Sequence, residues 1–370
     1  MTSSQSNSVD FKTDCHFFEK CGGCDFLNLP AAKYQDLKKG ILEKELSGNL
    51  ASSIDSIDYF WVGPHSRRKI TLQVNNKNQV GFFAKKTNDV VEIDSCFIAE
   101  EKISALIIPL KKFIKSQEGN LFTQISITLF DGSIDVILHA KRELNFAQSQ
   151  KALSFAKEHN LNISCKIKNQ LTPIFLPYKN QIIYSSESEN FKVDLKSEIF
   201  IQATKIGLNK IVEEIRNFLL KNKNIKNIAD IYSGFGAYAF AICDLSSAIS
   251  AFEGSAEMTE MTSKNAAAND LSHKIKAFTK DLFSDPITKK ELEKFDLAII
   301  NPPRNGATPQ ITEISKSKIK NVIYVSCNPR TFAFDAKILI DAGFKIEKLL
   351  ALDQFYASSH LELIAIFKKI

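Results

Sequence analysis

The stretch N-I-A-D-I-Y-S-G-F-G-A-Y-A, residues 227–239, decides the fold class of this chain. Its apolar first part predicts a buried strand, and the glycines that follow predict a tight turn into a helix. From here to residue 342 apolar strands alternate with helical segments, which favours an α/β fold with a doubly wound, mainly parallel sheet. The predicted strands are Ile228–Tyr232, Ala248–Phe252, Ile275–Phe278, Phe295–Ile300 and Val322–Val325, and the helices are Ala237–Asp244, Ala256–Asn269, Thr312–Lys318 and Thr331–Ala342.

Two long strand candidates, Phe344–Leu352 and Leu361–Phe367, close the chain without a helix between them. They predict an antiparallel hairpin at the edge of this sheet. The first half instead has short mixed strands and an Asp131-Gly132 hairpin signal, which is typical of an α+β domain. We therefore expect a disordered tail over residues 1–14, a central α+β domain with an N-terminal cysteine-rich segment over 15–195, and an α/β domain over 196–370. The predicted elements of the first half are the strands Lys69–Val74, Val80–Phe83, Gln124–Leu129 and Ser133–Leu138 and the helix Leu144–Glu158.

Composition is that of a soluble globular protein, with 44% hydrophobic and 24% charged residues among 370. The polar N-terminus lacks the apolar core of a signal peptide, and no apolar run is long enough to span a bilayer. We expect a cytoplasmic monomer with no membrane partner and no evident protein partner. Its seven cysteines are then more typical of metal ligands or catalytic thiols than of disulfides. The net charge of +6 permits a polyanionic partner.

Polar side chains follow four successive strands of the predicted parallel sheet. The first strand ends in the glycine turn that contains Gly234, which lets the backbone approach a cofactor closely, and Glu253 follows the second strand, Asp281 the third and Asn301 the fourth. The carboxyl ends of parallel strands share one edge, so these residues predict a polar rim around a nucleotide-like cofactor. The spacing also satisfies G-x-G-x-x-A, so a dinucleotide is an open alternative. Asp281 taken alone is more typical of a helix N-cap.

The ends of the fourth strand and of the next one carry the chemistry. Asn301-Pro302-Pro303 fixes the backbone and holds the asparagine side chain in place, as S-adenosylmethionine enzymes do beside a methyl acceptor. Enzymes that methylate amino groups of bases usually have an aromatic residue next, whereas this chain has Arg304. Cys327 ends the strand Val322–Val325, where open α/β sheets bind ligands. A free cysteine there is either a nucleophile or one more small buried hydrophobe.

Four cysteines predict a metal centre near the start of the folded chain. Cys15, Cys21 and Cys24 are closely spaced, and Cys96 lies further along. Four thiolates suit a zinc ion or an iron–sulfur cluster equally well. The nearby basic segment 65–69 predicts either a phosphate contact or a solvated charged turn.

Three motifs carry a family resemblance: N-P-P-R-N-G at 301–306, V-I-Y-V-S-C-N-P-R-T at 322–331 and D-Q-F-Y-A-S-S-H-L-E at 353–362. Together they resemble the RNA uracil-5-methyltransferases, which make 5-methyluridine in 23S rRNA and tRNA. The resemblance runs from Cys15 to Phe367 and is greatest to the smaller iron–sulfur enzymes of 23S rRNA. It implies a Rossmann-like S-adenosyl-L-methionine methyltransferase domain and an RNA substrate, most simply 23S rRNA.

The resemblance also implies roles for particular residues. Cys327 would add to carbon 6 of uracil, and Glu362 would remove the hydrogen of carbon 5 as a general base. His360 would be structural. The four cysteines would hold a [4Fe–4S] cluster. The implied cofactor residues are Gln202, Tyr232, Glu253 and Asn301, with Asp281 and Gly234 as weaker candidates.

Two departures from the family pattern concern the surroundings of the target base. Thr204 stands where the family has asparagine in F-x-Q-x-N, and Tyr356-Ala357-Ser358 stands where it usually has Pro-Gln-Thr. The alternatives are a tRNA uracil-5-methyltransferase, a non-catalytic iron–sulfur protein that binds RNA, and an NAD-dependent oxidoreductase. The cysteines disfavour the first, because bacterial tRNA enzymes of this family typically lack them.

Overall fold

The computed structural model describes residues 15–46, 50–185 and 189–369. Within them the chain forms an eight-stranded sheet, a seven-stranded sheet and a two-stranded ribbon. The predicted disordered tail lies outside the described residues.

The elements of the first half are, in chain order, α1 Ala31–Leu46, a 3₁₀ turn Ala51–Ser53, β1 Asp58–Trp61, β2 Lys69–Val74, β3 Val80–Phe83, β4 Val90–Glu92, α2 Glu101–Ser104, α3 Ile107–Lys115, β5 Phe122–Leu129, β6 Ile134–Ala140, α4 Phe146–Glu158, β7 Asn162–Ile167, β8 Gln170–Phe175, β9 Asn180–Ser185 and β10 Asn190–Leu195. Those of the second half are α5 Lys205–Lys221, β11 Asn227–Ile231, α6 Ala237–Ile242, β12 Ala248–Glu253, α7 Ala256–Ala268, β13 Ile275–Thr279, α8 Lys289–Leu292, β14 Leu297–Ile300, α9 Thr308–Ser315, β15 Asn321–Ser326, α10 Pro329–Asp341, β16 Phe344–Asp353 and β17 Glu362–Lys369.

The large sheet has the strand order β1-β16-β17-β15-β14-β11-β12-β13. Strands β11 to β15 run parallel, as the alternating pattern predicts, and β17 runs antiparallel to both of its neighbours. The antiparallel pairing of the last two strands is confirmed, but their expected place at the edge is wrong. Strand β1 pairs parallel with β16 and covers that edge.

Helix α1 also lies against the large sheet. Its Leu42 and Leu46 are buried in the same core as Ile300 of β14 and Phe332 of α10. The chain therefore contributes its first helix and first strand to the C-terminal half before it forms the smaller sheet. The division into folding units at residue 195 stays a prediction.

The smaller sheet has the order β4-β3-β2-β5-β6-β7-β8. Strands β5 and β6 form the antiparallel hairpin that Asp131-Gly132 predicts, with Leu129 opposite Ile134. Strands β6 and β7 are parallel, because α4 crosses over between them. This sheet and the helices on it enclose a separate apolar core.

The turn between β11 and α6 depends on glycine. Gly236 has a φ of +82°, and a Cβ there would lie 2.9 Å from the Thr262 methyl group. Glycine readily adopts this positive φ and has no Cβ to clash with Thr262, so helix α6 can begin close against α7. This turn faces the carboxyl ends of the parallel strands. No helix of the described residues is both long and apolar enough to cross a membrane.

Candidate active site

A cavity of about 530 Å³ lies at the carboxyl ends of the parallel strands of the large sheet. Every residue that the sequence predicts for catalysis or cofactor binding lines it. These residues are Gln202, Tyr232, Gly234, Glu253, Asp281, Asn301, Cys327 and Glu362. The fold thus brings the set together, while the role of each residue stays a prediction.

The pairing of β15 with β17 places Cys327 beside Glu362. The two strands are antiparallel, with Ser326 opposite Leu363. Cys327 directly follows Ser326, and Glu362 directly precedes Leu363, so both reach the cavity from the same edge of the sheet.

Burial controls the charge of Glu362. Its side chain is 3% exposed, and its Oε2 accepts a hydrogen bond of 2.9 Å from Gln354 Nε2. Burial raises the pKa of the Glu362 carboxyl to about 7, although the bond from Gln354 opposes the shift. A carboxyl group with such a pKa can both accept and return a proton near neutral pH.

Cys327 is partly exposed to the cavity. Burial raises the pKa of its thiol, the carboxylate of Glu362 raises it further, and the Arg304 guanidinium lowers it. The Arg304 carbonyl accepts hydrogen bonds from Asn328 Nδ2 at 2.9 Å and Thr331 Oγ1 at 3.3 Å. These bonds tie the Asn-Pro-Pro-Arg loop to the start of α10 and keep its arginine next to the thiol.

A chain of amides and one hydroxyl joins Glu362 to Asn301. Gln354 Nε2 donates to Glu362 and also to Gln202 Oε1, each at 2.9 Å. The hydroxyl of Tyr238 then accepts from Gln202 Nε2 at 3.4 Å and from Asn301 Nδ2 at 3.3 Å. No sequence pattern predicts a role for Tyr238 or Gln354, although both lie within the stretches 227–239 and 353–362 that carry the fold and family signals.

The turn after β11 presents its backbone to the cavity. Tyr232 and Gly234 both have left-handed backbones, with φ of +60° and +55°. Glu253 Oε2 accepts a hydrogen bond of 3.0 Å from the Gly234 amide, and its Oε1 accepts one of 2.9 Å from Ser255. The carboxylate of Glu253 therefore fixes the turn as well as lining the cavity.

Asp281 both caps a turn and lines the cavity. Its Oδ1 accepts hydrogen bonds from the amides of Phe283 at 3.1 Å and Ser284 at 3.4 Å. Residues 282–284 form a turn and no helix follows directly, so the helix N-cap expected for the residue taken alone is wrong. The exposed ring of Phe283 also lines the cavity.

The basic segment 65–69 is divided between two cavities. Arg68 is 2% exposed and lines the first, where its Nε donates to the Gln202 carbonyl at 2.9 Å. Its Nη2 has no hydrogen-bond acceptor among the described residues. For Arg68 the expectation of a solvated turn is wrong, because alternate residues of an extended chain point in opposite directions. Arg67 and Lys69 line the second cavity.

All four predicted metal ligands line this second cavity of about 440 Å³: Cys15, Cys21, Cys24 and Cys96. Burial and, to a smaller extent, the neighbouring thiols of Cys96, Cys21 and Cys15 raise the pKa of the Cys24 thiol to about 12. No group of three or more His, Cys, Asp or Glu side chains within the described ranges is placed to hold a metal ion. The iron–sulfur centre therefore stays a prediction.

Residues 63–370 match the tRNA (uracil-5-)-methyltransferase family. The chain belongs to this family. It is accordingly an RNA (uracil-5-)-methyltransferase, as the resemblance implies, and the expectation of an NAD-dependent oxidoreductase is wrong.

Similar proteins agree with this assignment. The 23S rRNA (uracil(1939)-C(5))-methyltransferase RlmD of Shewanella piezotolerans is 28% identical over 366 residues, which make up 96% of this chain and 81% of that protein. An uncharacterized RNA methyltransferase of Mesorhizobium japonicum is 28% identical over 359 residues, covering 96% and 84%. The structure of the Pyrococcus abyssi tRNA (uracil-54, C5)-methyltransferase with S-adenosyl-L-homocysteine has a TM-score of 0.69 at 21% identity, covering 94% and 86%. This likeness confirms the α/β methyltransferase fold.

The burial of Glu362 predicts a pH-dependent stability difference. The pKa of the Glu362 carboxyl rises from 4.5 in the unfolded chain to about 7 in the folded protein. The protonated carboxyl therefore makes its full contribution to the free energy of unfolding below pH 4.5, and this contribution is lost as the pH rises through 7. Glu362→Gln should therefore unfold at higher urea concentration than the wild type at pH 8, with a gain of roughly 1–3 kcal/mol. The difference should vanish near pH 4.5. An equal difference at both pH values would contradict the shift.

Proposed function

We propose that this protein methylates carbon 5 of a uridine in 23S rRNA with S-adenosyl-L-methionine as the methyl donor. The observation that carries the proposal is the placement of Cys327 and Glu362 side by side in the cavity that the predicted cofactor residues line. The relatives named as 23S rRNA enzymes, which match 96% of the chain, support rRNA as the substrate.

The cavity suits a nucleoside-like cofactor. A Cβ on Gly234 would meet only Met258 Sδ, at 3.9 Å, so the turn leaves open space beside its backbone. The buried hydroxyl of Tyr232 and the buried Nη2 of Arg68 have no hydrogen-bond partner among the described residues. Buried polar groups are ordinarily satisfied, so partners from bound ligands are expected for them. Gln202, Tyr232, Gly234, Glu253, Asp281 and Asn301 would hold the cofactor, which supplies an electrophilic methyl group.

Carbon 5 of uracil is a weak nucleophile, so the enzyme must activate the base. The Cys327 thiolate adds to carbon 6 and makes carbon 5 enolate-like, so that carbon 5 can bond to the methyl group as the methyl–sulfur bond of the donor breaks and leaves a neutral thioether. Glu362 then removes the hydrogen of carbon 5, and the electron pair re-forms the 5,6 double bond as the thiolate leaves. Arg304 favours the thiolate form of Cys327, and the raised pKa of Glu362 allows it to release the proton afterwards.

We also propose that Cys15, Cys21, Cys24 and Cys96 hold a [4Fe–4S] cluster. All four thiols line one cavity of about 440 Å³, and the Cys24 thiol is close enough to the other three for their charges to raise its pKa. Four neighbouring thiolates suit zinc or a [4Fe–4S] cluster, and the family resemblance favours the cluster.

A substrate comparison tests the proposed RNA. Purified protein is incubated with labelled S-adenosyl-L-methionine and either 23S rRNA or tRNA transcripts, and 5-methyluridine is mapped by mass spectrometry of nuclease fragments. We expect 5-methyluridine at defined positions of the 23S transcript and at least tenfold less in tRNA. Preferential methylation of tRNA would favour the alternative substrate, and label in another nucleoside would contradict the proposed reaction.

Substitutions of the two proposed catalytic residues should block different steps of the reaction. Cys327→Ala should abolish methyl transfer, because no covalent activation of uracil remains. Glu362→Gln should form the methylated adduct but fail to resolve it, so a denaturing gel should show RNA bound to protein through Cys327. Cys243→Ala, at a buried cysteine outside the cavity, is the matched control for the first change and should keep methyl transfer. Turnover by Cys327→Ala, or no adduct with Glu362→Gln, would contradict the mechanism.

The cluster proposal predicts a defined metal content. Protein purified without oxygen should contain about four irons and four sulfides per chain. Cys24→Ser should lower both, whereas Cys165→Ser, at a buried cysteine outside the second cavity, should not. One zinc per chain and no iron would contradict the assignment.

A further inference from the structure

A buried polar cluster lies behind the loop that leads to Glu362. This loop, residues 354–361, joins β16 to β17 and begins with Gln354, the hydrogen-bond partner of Glu362. Helix α1 approaches it from the side away from the cavity. The cluster consists of Tyr34 and Lys38 of α1 together with Asp353 at the end of β16, and none of the three lines the cavity.

Lys38 makes three polar contacts with its ammonium group. It is fully buried, its Nζ lies 3.0 Å from Asp353 Oδ1, and it donates to the carbonyls of Ser358 at 2.7 Å and His360 at 2.5 Å. The lysine thus joins both ends of the loop: Asp353 directly precedes Gln354, and His360 lies two residues before Glu362.

Tyr34 fixes the middle of the same loop. Its hydroxyl donates to Asp353 Oδ2 at 2.5 Å and accepts from the Ala357 amide at 3.1 Å. Ala357 has a φ of +63°, in the left-handed region that residues other than glycine rarely adopt. Such a backbone persists when surrounding contacts determine it, and the bond from Ala357 to Tyr34 is one of them.

The cysteine-rich segment makes a second set of contacts with the loop 354–361. The amides of Asp25 and Phe26 both donate to the Ala357 carbonyl, at 2.8 Å and 3.1 Å. The loop therefore keeps part of its support when the α1 contacts are removed, so variants of Tyr34 and Lys38 are expected to fold.

Burying a charged lysine and aspartate carries a desolvation cost that apolar packing would avoid. Here the charged pair joins specific carbonyls of the loop, so it selects one loop conformation. We propose that Tyr34 and Lys38 are positioning residues that set the loop so that Gln354 orients the carboxylate of Glu362 toward carbon 5 of the target uracil. This inference rests on the proposed function.

The proposal separates two steps of the reaction. A misplaced Glu362 slows removal of the carbon 5 hydrogen, whereas addition of Cys327 and methyl transfer continue. The methylated RNA adduct should then accumulate. A residue that served folding alone would lower the amounts of active enzyme and adduct together and leave their ratio unchanged.

The test compares Tyr34→Phe and Lys38→Met with Lys33→Met, which alters an exposed lysine of the same helix. Product release and the adduct on a denaturing gel are followed in single-turnover reactions with 23S rRNA. For Tyr34→Phe and Lys38→Met we expect 5-methyluridine release to slow by roughly tenfold to a hundredfold. The adduct should accumulate while the dissociation constants for RNA and cofactor stay within about twofold of the wild-type values, and Lys33→Met should match the wild type.

A further variant controls for the charge that Lys38→Met leaves unpaired. Lys38→Met/Asp353→Asn removes both buried charges, and it should show the same adduct accumulation with a urea midpoint closer to that of the wild type. Normal release rates in these variants, or slow release without adduct, would overturn the positioning role. A wild-type enzyme that forms no 5-methyluridine would overturn the proposed function itself, and the two failures are therefore distinguishable.

Discussion

The antiparallel pairing of β17 with β15 is the constraint on which the proposed chemistry depends. If all strands were parallel, the first residue of β17 would lie at the end of the sheet opposite to the carboxyl end of β15. Because β17 runs in the reverse direction, Glu362 lies at the same end of the sheet as Cys327, with Ser326 opposite Leu363. The same end of the sheet carries the glycine turn after β11 and the Asn-Pro-Pro-Arg loop after β14, so the proposed nucleophile, the proposed base and the predicted cofactor residues line one cavity.

Burial at this end of the sheet shifts the protonation of both Cys327 and Glu362. It raises the pKa values of the Glu362 carboxyl and the Cys327 thiol, and the carboxylate of Glu362 raises the thiol pKa further. The Arg304 guanidinium bonds to the thiol and lowers its pKa, while the Arg304 carbonyl is held by Asn328 and Thr331. Two neighbouring groups with shifted pKa values in a cavity are typical of acid–base and nucleophilic sites. Gln354 bonds directly to Glu362, and helix α1 contacts the loop that begins with Gln354. The surroundings of Glu362 therefore include a helix from the other end of the chain.

The parallel core of the fold could be predicted from sequence because β11 to β15 are short apolar runs followed by glycine, proline or polar residues. The position of β1 could not, because the strand with which it pairs, β16, is far along the chain. The hydrophobic periodicity of helix α1 is weak, since its buried face includes the charged Lys38 between Tyr34 and Leu42. The cavity residues after the strands could be predicted from their place in the sheet. Tyr238 and Gln354 could not, because their roles rest on hydrogen bonds between distant segments.

The proposed reaction uses Cys327 and Glu362 to replace the hydrogen of carbon 5 with a methyl group. Tritium counting tests it, with 23S rRNA transcribed from uridine that is tritiated at carbon 5 and tritium released into water counted as methyl groups are transferred. We expect one tritium released per methyl group with the wild-type enzyme and none with Cys327→Ala. Methyl transfer without release of tritium would contradict it.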